Sequence, residues 1–313
     1  MFKPILMAVL GGVTASLLLA TAPARAEGVR QTLGFGHFFD NDVIGDGKDR
    51  WQSGSYTLSW LRGESWSGQL PARPFTVMEY RLGGSILAPE NLVTPAAGDR
   101  RYVAKSQFSA HTQFAPRAGL EADLGLGFVW TGPSNGLSQL QEFLHRAFSA
   151  PAPRAADTQL GNHIYPYLNA ELARPMALGG SLGGAQLRPF VEARAGEESF
   201  LRAGLDLAFG ATEEGALWLR DEATGHRYPG IAGTRGGRTG FVLGADIAHV
   251  FDSPYLAKAD GLRLVPTRKR LRAGLSTQLG AGTVFYGLTW LSREFETQPE
   301  AQVTGSAQLR IRF

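Results

Sequence analysis

Between residues 132 and 163 the chain reads GPSNGLSQLQEFLHRAFSAPAPRAADTQLGNH, and two of its side chains are spaced to work together. Gln141 and His145 are four residues apart, which on a helix stacks them on one face, one turn above the other. Asn135 is placed to cap such a helix over Gly136–Ala147. An unperturbed imidazole titrates near neutrality, so His145 is suited to take a proton from water or from a serine hydroxyl. The Gln141 amide is suited to orient that water or the ring. The plain alternative is a surface helix with one ordinary histidine. His37, His111, His226 and His249 are scattered, while His163 ends the same stretch and is the rival for the base.

A second group is acidic. Asn41-Asp42 opens a turn-rich loop whose side-chain oxygens suit a hard cation such as calcium, which takes six to eight oxygen ligands. The alternative is that both residues shape a turn by bonding their own backbone. The run DNDVIGDGKD superficially resembles the start of an EF-hand but lacks the glutamate at the twelfth position and flanking helical periodicity, so that assignment is rejected. A third group, Asp99-Arg100-Arg101-Tyr102, offers guanidinium forks that match phosphate groups, or an exposed loop whose charges pair with each other. The string GxSxG occurs at residues 132–136 and 179–183, but the chain lacks the alternating strand–helix pattern that makes it a nucleophile elbow, and no HExxH occurs, so neither a serine-hydrolase triad nor a zinc peptidase is supported.

The elements that must position these groups read as strands. Forty glycines and seventeen prolines in 313 residues fit many strands joined by tight turns. Residues 1–26 read as a secretory signal, with Lys3, an apolar stretch from Ile5 to Leu19 and a small-residue cleavage region at Ala22–Ala26, leaving 27–313 as one domain. Cysteine is absent, so no disulfide scaffold exists. In the last twelve residues, Val303, Gly305, Ala307, Leu309, Ile311 and Phe313 alternate with Gln302, Thr304, Ser306, Gln308, Arg310 and Arg312. Alternation of this length, ending on an aromatic, predicts the closing strand of an outer-membrane barrel. Closure is what lets a sheet span lipid, because it removes the unpaired edge.

The spacing predicts about twelve antiparallel strands, an all-β transmembrane barrel with a short helix in an extracellular loop. The third strand is expected at Pro71–Gly83, and segment 210–238 as a turn with some irregular structure. Arginines on the inward faces of several strands predict a polar, mutually paired interior. The loops at 39–51, 85–103, 132–164 and 292–301 all fall on one rim, so the reactive side chains gather there. The net charge of +3 decides nothing about partners, and no basic stripe interleaved with aromatics suggests nucleic acid.

In order along the chain, these pieces resemble the outer-membrane lipid A 3'-O-deacylases, the LpxR family. Asn41-Asp42 is similar to that family's Asn-Asp pair, and Asp49-Arg50-Trp51-Gln52-Ser53-Gly54 to its Asp-Arg-x-Tyr-Thr-Asn-Gly element. Leu87-Ala-Pro-Glu-Asn91 resembles Tyr-Thr-Pro, and Asp99-Arg-Arg-Tyr-Val-Ala104 resembles Asp-Arg-Pro-Tyr-Ala-Gly. Gly132-Pro133, Gln141 and His145 match Gly-Pro…Gln-x-x-x-His. Asp157-Thr-Gln159 and Arg293-Glu-Phe-Glu-Thr-Gln298 match Trp-Asp-x-Gln-Leu and Arg-x-Phe-x-x-Gln.

The resemblance implies a twelve-stranded outer-membrane barrel that removes the 3'-acyloxyacyl group of lipid A by calcium-dependent ester hydrolysis. It implies His145 as general base, Gln141, Asn41 and Ser53 in the catalytic site, and Asp42 with Asn41 near the cation. Arg100, Arg101 and Lys105 are the cations expected to meet the substrate. Lipopolysaccharide is the implied substrate, the outer-membrane insertion machinery an expected partner, and a monomer the expected state. Departures are also present: Ser53 stands for the family's threonine, and Pro151 stands where the family has a glutamate six residues beyond the histidine. A catalytically inactive barrel of the same family and a small porin are the competing readings.

Overall fold

In the computed structural model, residues 28–179, 184–211, 213–235, 237–280 and 282–311 are described; the expected signal segment 1–26 lies outside them. Eight long strands come first: β1 (Gln31–Asn41), β2 (Trp51–Gly63), β3 (Val77–Ala88), β4 (Val103–Arg117), β5 (Leu120–Thr131), β6 (His163–Ala173), β7 (Ala185–Ala195) and β8 (Ser199–Gly210). Helix α1 (Leu137–Ala147) lies between β5 and β6. After β8 come two short strands, β9 (Leu217–Arg220) and β10 (Arg227–Ile231), and then β11 (Thr239–Asp252), β12 (Thr267–Leu279), β13 (Gly282–Leu291) and β14 (Gln302–Ile311). All but β9 and β10 join one antiparallel sheet. β1 pairs with β14, and β6 pairs with β7, so the twelve long strands close into a barrel.

The alternation that marked these strands maps onto the wall. On β2, Tyr56, Leu58 and Trp60 are exposed outward while Thr57 and Ser59 are buried inward. On β14, Leu309 and Ile311 face out, and Gln302, Thr304, Ser306 and Gln308 face in. The inward arginines find carboxylates, as the sequence predicts. Arg270 meets Asp246 at 2.9 Å, Arg188 meets Glu171 at 2.8 Å, and Arg202 meets Glu192 at 2.7 Å. Unpaired, each buried charge would carry a large desolvation cost.

Two expectations need correction. The third strand runs over Val77–Ala88 rather than Pro71–Gly83, because Pro71 and Pro74 sit in the turn that precedes it. Segment 210–238 is not an irregular turn. Its residues 217–231 form a hairpin, β9 paired with β10, that enters the lumen from the rim opposite α1 and crosses it. Gly34 and Gly36 on β1 face this hairpin, and a Cβ at Gly34 would lie 2.3 Å from the Gly230 carbonyl oxygen. The close approach lets Tyr228 stack on Phe38 and hydrogen-bond Ser59. Its alternating Leu217 and Leu219 join Phe38, Leu61 and Val77 in the main core cluster.

At the hairpin tip, Glu222 accepts from Arg194 at 2.7 Å and from Gln107 at 2.6 Å, while Arg270 donates to its carbonyl at 2.7 Å from the far wall. Two lumen cavities, of about 140 and 590 Å³, lie on either side of this crosspiece and share Arg81, Glu192 and Glu222 as lining.

Candidate catalytic cleft on the outer wall

Helix α1 does not cover the mouth of the barrel. It lies against the outside of the wall, where Leu137 packs on Gly84, an outward position of β3 with no side chain to block it. Leu137 also joins Ile86, Ala88 and Ala104 in one apolar cluster. Asn135 ends a short 3-10 turn rather than sitting at the N-cap, which is Gly136 in the left-handed conformation. Its side chain still accepts from the Leu137 N–H at 3.0 Å and donates to the carbonyls of Ala104 and Trp130, tying the helix start to β4 and β5.

The wall supplies Ser53 through a bulge. Strict alternation from Ser55 and Thr57 would turn Ser53 into the lumen, but the β2–β3 register shifts between Gln52 and Gly54. Gln52 therefore reaches Ser85 on the lumen side, and Ser53 points to the helix instead. Bulges are a common device for re-aiming a side chain beside a site.

Five polar side chains then form a chain between the helix and the wall. The Tyr102 hydroxyl donates to Gln141 Oε1 at 2.6 Å, and Gln141 Nε2 lies 3.5 Å from Ser53 Oγ, a long contact. Ser53 Oγ donates to Asp49 Oδ1 at 2.5 Å, and Asp49 Oδ2 lies 3.1 Å from His145 Nε2. On the other side of the ring, Nδ1 lies 2.6 Å from the Pro151 carbonyl. A carbonyl only accepts, so Nδ1 carries a proton, and Nε2 is the nitrogen that faces Asp49 and is placed to take up a second. Pro151, which brings no carboxylate, thus orients the imidazole through its backbone.

Where the other expected residues lie is also plain. Asn41 is on the outward side at the end of β1, beside Gly54, and its Oδ1 accepts from the Val43 N–H in a local turn. Asp42 is fully buried under the loop. Its backbone N–H bonds the Ser53 carbonyl, and its Oδ2 accepts from the Arg50 N–H at 2.6 Å and from Gln302 at 3.2 Å. Burial, with the Asp46 and Asp49 charges beside it, pushes the Asp42 carboxyl up to about 9, against the Arg50 hydrogen bond. Arg100 is buried and held by Glu294 at 2.5 Å, and Lys105 faces the lumen with its ammonium over the Tyr255 ring. Arg101 is exposed and 3.6 Å from Asp260. His163 is exposed at the start of β6, against Tyr165. Asp49 is the functional candidate that residue-by-residue reasoning passed over, although its place in the Asp-Arg element was visible.

A separate buried group, Glu79, His111 and Asp123, brings its ligand atoms within 4.8 Å of one another, close enough to coordinate a divalent cation. It lies inside the lumen, at the end of the barrel away from α1. Glu79 already accepts from Arg81 at 2.7 Å, from Ser59 at 2.6 Å and from Gln113 at 2.8 Å, so its charge is neutralised by protein.

The fold and cleft together define an outer-membrane β-barrel with a candidate hydrolytic site on the outside of its wall. The chain belongs to the family described as "Outer membrane protein LpxR", whose model matches residues 13–313. Among solved structures, LpxR from Salmonella typhimurium is similar over 90% of this chain and 100% of that one, with a TM-score of 0.72 and 16% identity. The β domain of the Bordetella autotransporter BrkA follows with a TM-score of 0.42 and 11% identity, over 90% of this chain and 99% of that one. No curated protein matches the sequence.

Proposed function

We propose that this protein hydrolyses the 3'-acyloxyacyl ester of lipid A in the outer leaflet, with His145 as general base. The observation that carries the reading is the fixed imidazole: its Nδ1 is tied to Pro151 and its Nε2 is aimed at Asp49, between α1 and the outer face of the wall. Family membership supplies the substrate class. Positioned base catalysis of this kind typically contributes about 10²–10⁴-fold in rate. The Ser53 hydroxyl donates to Asp49 and not to His145, which favours water as the group His145 deprotonates. Asp49 stabilises the imidazolium that results, Gln141 orients the water, and Tyr102 holds Gln141.

The residues fit a hard cation. They do so by chemical type: Asp42 Oδ1 is a buried carboxyl oxygen with no hydrogen-bond partner among the described residues, and Asn41, Asp46 and Asp49 bring oxygens on the same loop, although the three carboxylates are not gathered within ligand distance of one another. Calcium held there would supply positive charge to polarise the ester carbonyl. The lumen hairpin argues against a porin, since its tip bridges opposite walls.

Mass spectrometry of lipid A from cells with and without the gene tests the reading, with His145→Ala as control and calcium chelation as a second arm. Loss of one acyloxyacyl unit that requires both His145 and calcium is expected. An unchanged spectrum from cells carrying the folded wild-type barrel would end it.

A further inference from the structure

Helix α1 has three faces, and only two have an evident neighbour. At about 100° per residue, Leu137, Ser138, Gln141 and His145 fall on one arc, which is turned to the barrel wall. Gln139, Glu142 and Arg146 fall on a second arc, solvent-exposed, with Arg146 3.4 Å from Glu142. The third arc holds Leu140, Phe143, Leu144 and Ala147. Leu140 is 50% exposed, Phe143 58%, and Phe148, just past the helix, 80%. Large apolar side chains this exposed on one face mark a contact surface.

The position of the helix on the wall says what meets that surface. Gly84, where Leu137 rests, pairs with Tyr56 on one side and Ser106 on the other, and Ser106 pairs with Trp130. Tyrosine and tryptophan on a barrel's outer face sit at the level of the lipid headgroups. One outward position further down each strand, about 7 Å away, lie Leu82 and Phe108, both exposed in the apolar band. The helix therefore lies at headgroup level, one outward position above the apolar band, with its bare face and its polar face on opposite sides of the wall contact.

We infer that α1 is an interfacial helix whose Leu140–Phe143–Leu144 face is immersed in the acyl chains of the surrounding leaflet, so that a lipid chain enters the catalytic cleft sideways. The second clause rests on the proposed hydrolysis; the first does not. Helices of this type bury their apolar face about 5–10 Å into the headgroup and acyl boundary. The arrangement places Gln141 and His145 at the depth where an acyl ester lies, without lifting the lipid into water.

The chain has no cysteine, so single-cysteine labelling is clean. The mature protein would be refolded into phosphatidylcholine/phosphatidylglycerol vesicles with an environment-sensitive fluorophore at Leu140→Cys, Phe143→Cys, Glu142→Cys or Arg146→Cys. Folding would be verified by gel mobility shift; all four side chains are exposed. Doxyl-labelled lipid is expected to quench the probes at 140 and 143 at least about threefold more than those at 142 and 146. Equal quenching at 142 and 143, or the reverse order, overturns the interfacial helix whatever the protein's activity. For lateral entry, Leu140→Asp with Phe143→Asp should raise KM for vesicle-embedded lipid A about tenfold while kcat stays within about twofold. A fall in kcat with KM unchanged overturns that clause alone. Absence of turnover in the wild type would instead count against the hydrolase reading and, with it, the clause on entry, while the quenching pattern still decides the helix.

Discussion

Two histidine–carboxylate clusters share this barrel, on opposite faces of its wall and toward opposite ends. In the lumen, His111 meets Asp123 at 2.9 Å and Glu79 lies close by; outside, His145 meets Asp49 at 3.1 Å. By residue type they are nearly interchangeable. Their surroundings differ. Arg81 and Gln113 close the lumen cluster by satisfying its carboxylates, and both His111 nitrogens are engaged, with Asp123 and Ser109. Both His145 nitrogens are engaged as well, with Asp49 and the Pro151 carbonyl, but Asp49 has no arginine or lysine partner among the described residues, so its charge is left without a fixed cation. A complete set of internal partners makes the first a structural strut. An incomplete set, held in place by backbone, makes the second available for chemistry.

The comparison breaks first on the histidines. His145→Ala is expected to lower lipid A deacylation about 10³-fold, within the range for a lost general base. His111→Ala should leave turnover per folded molecule within about twofold of wild type. Assaying the two purified variants side by side decides it. If His111→Ala abolishes turnover while the barrel still folds, the lumen cluster is the site and the outer cleft is the strut.

On stability the two clusters should change places. Glu79 is fully buried with Arg81, so Glu79→Gln leaves that guanidinium with only Glu222, at 3.6 Å, and should cost about 3 kcal/mol. Urea unfolding followed by gel mobility would show it. Asp49, half-exposed beside the cleft, should show the opposite signature. Asp49→Asn is expected to cost about 10² in kcat with stability changed by under about 1 kcal/mol.

This difference in surroundings also explains what the sequence could show. Alternation on β2 and β14 displays the barrel because outward and inward positions differ in polarity over ten residues or more. The spacing of Gln141 and His145 displays their shared face because a helix fixes it. The bulge at Ser53 is invisible to a period-2 reading, since one extra residue leaves the residue types unchanged. The lumen hairpin was hidden for a similar reason: Gly-rich segment 210–238 owes its order to contacts with Phe38, Leu61 and Glu171, all distant in sequence. Pro151 misleads most directly. Its side chain cannot orient a histidine, but its carbonyl does, and a residue's identity says nothing about its backbone oxygen.

The loop beneath the cleft sharpens the contrast through pH. Asp42 titrates near 9 in the fold and near 3.9 when unfolded, so the folded state binds its proton more tightly. That contribution to stability is fully present below about pH 4 and is lost as pH rises through about 9. In chelator, the unfolding midpoint should therefore fall across this window. Asp42→Asn should flatten the slope, and calcium should restore the midpoint at the alkaline end. The lumen cluster predicts no such rescue, because protein groups already neutralise Glu79.

The smallest effect concerns the far end of the polar chain. Tyr102 is buried and gives its hydroxyl proton to Gln141, so Tyr102→Phe removes one hydrogen bond without opening a cavity. The loss should be about 1 kcal/mol in stability. If Gln141 orients water for His145, the same change should lower kcat several-fold and leave KM unaltered, because the buried hydroxyl acts only through Gln141. Gln141→Leu should then be at least as severe, and Tyr102→Phe should add little on top of it, since the hydroxyl acts only through that amide. Fully additive losses in kcat would mean that Tyr102 acts on the cleft by another route. A stability loss with kcat unchanged would reduce the Tyr102–Gln141 pair to the role that Gln113 and Glu79 play inside the lumen.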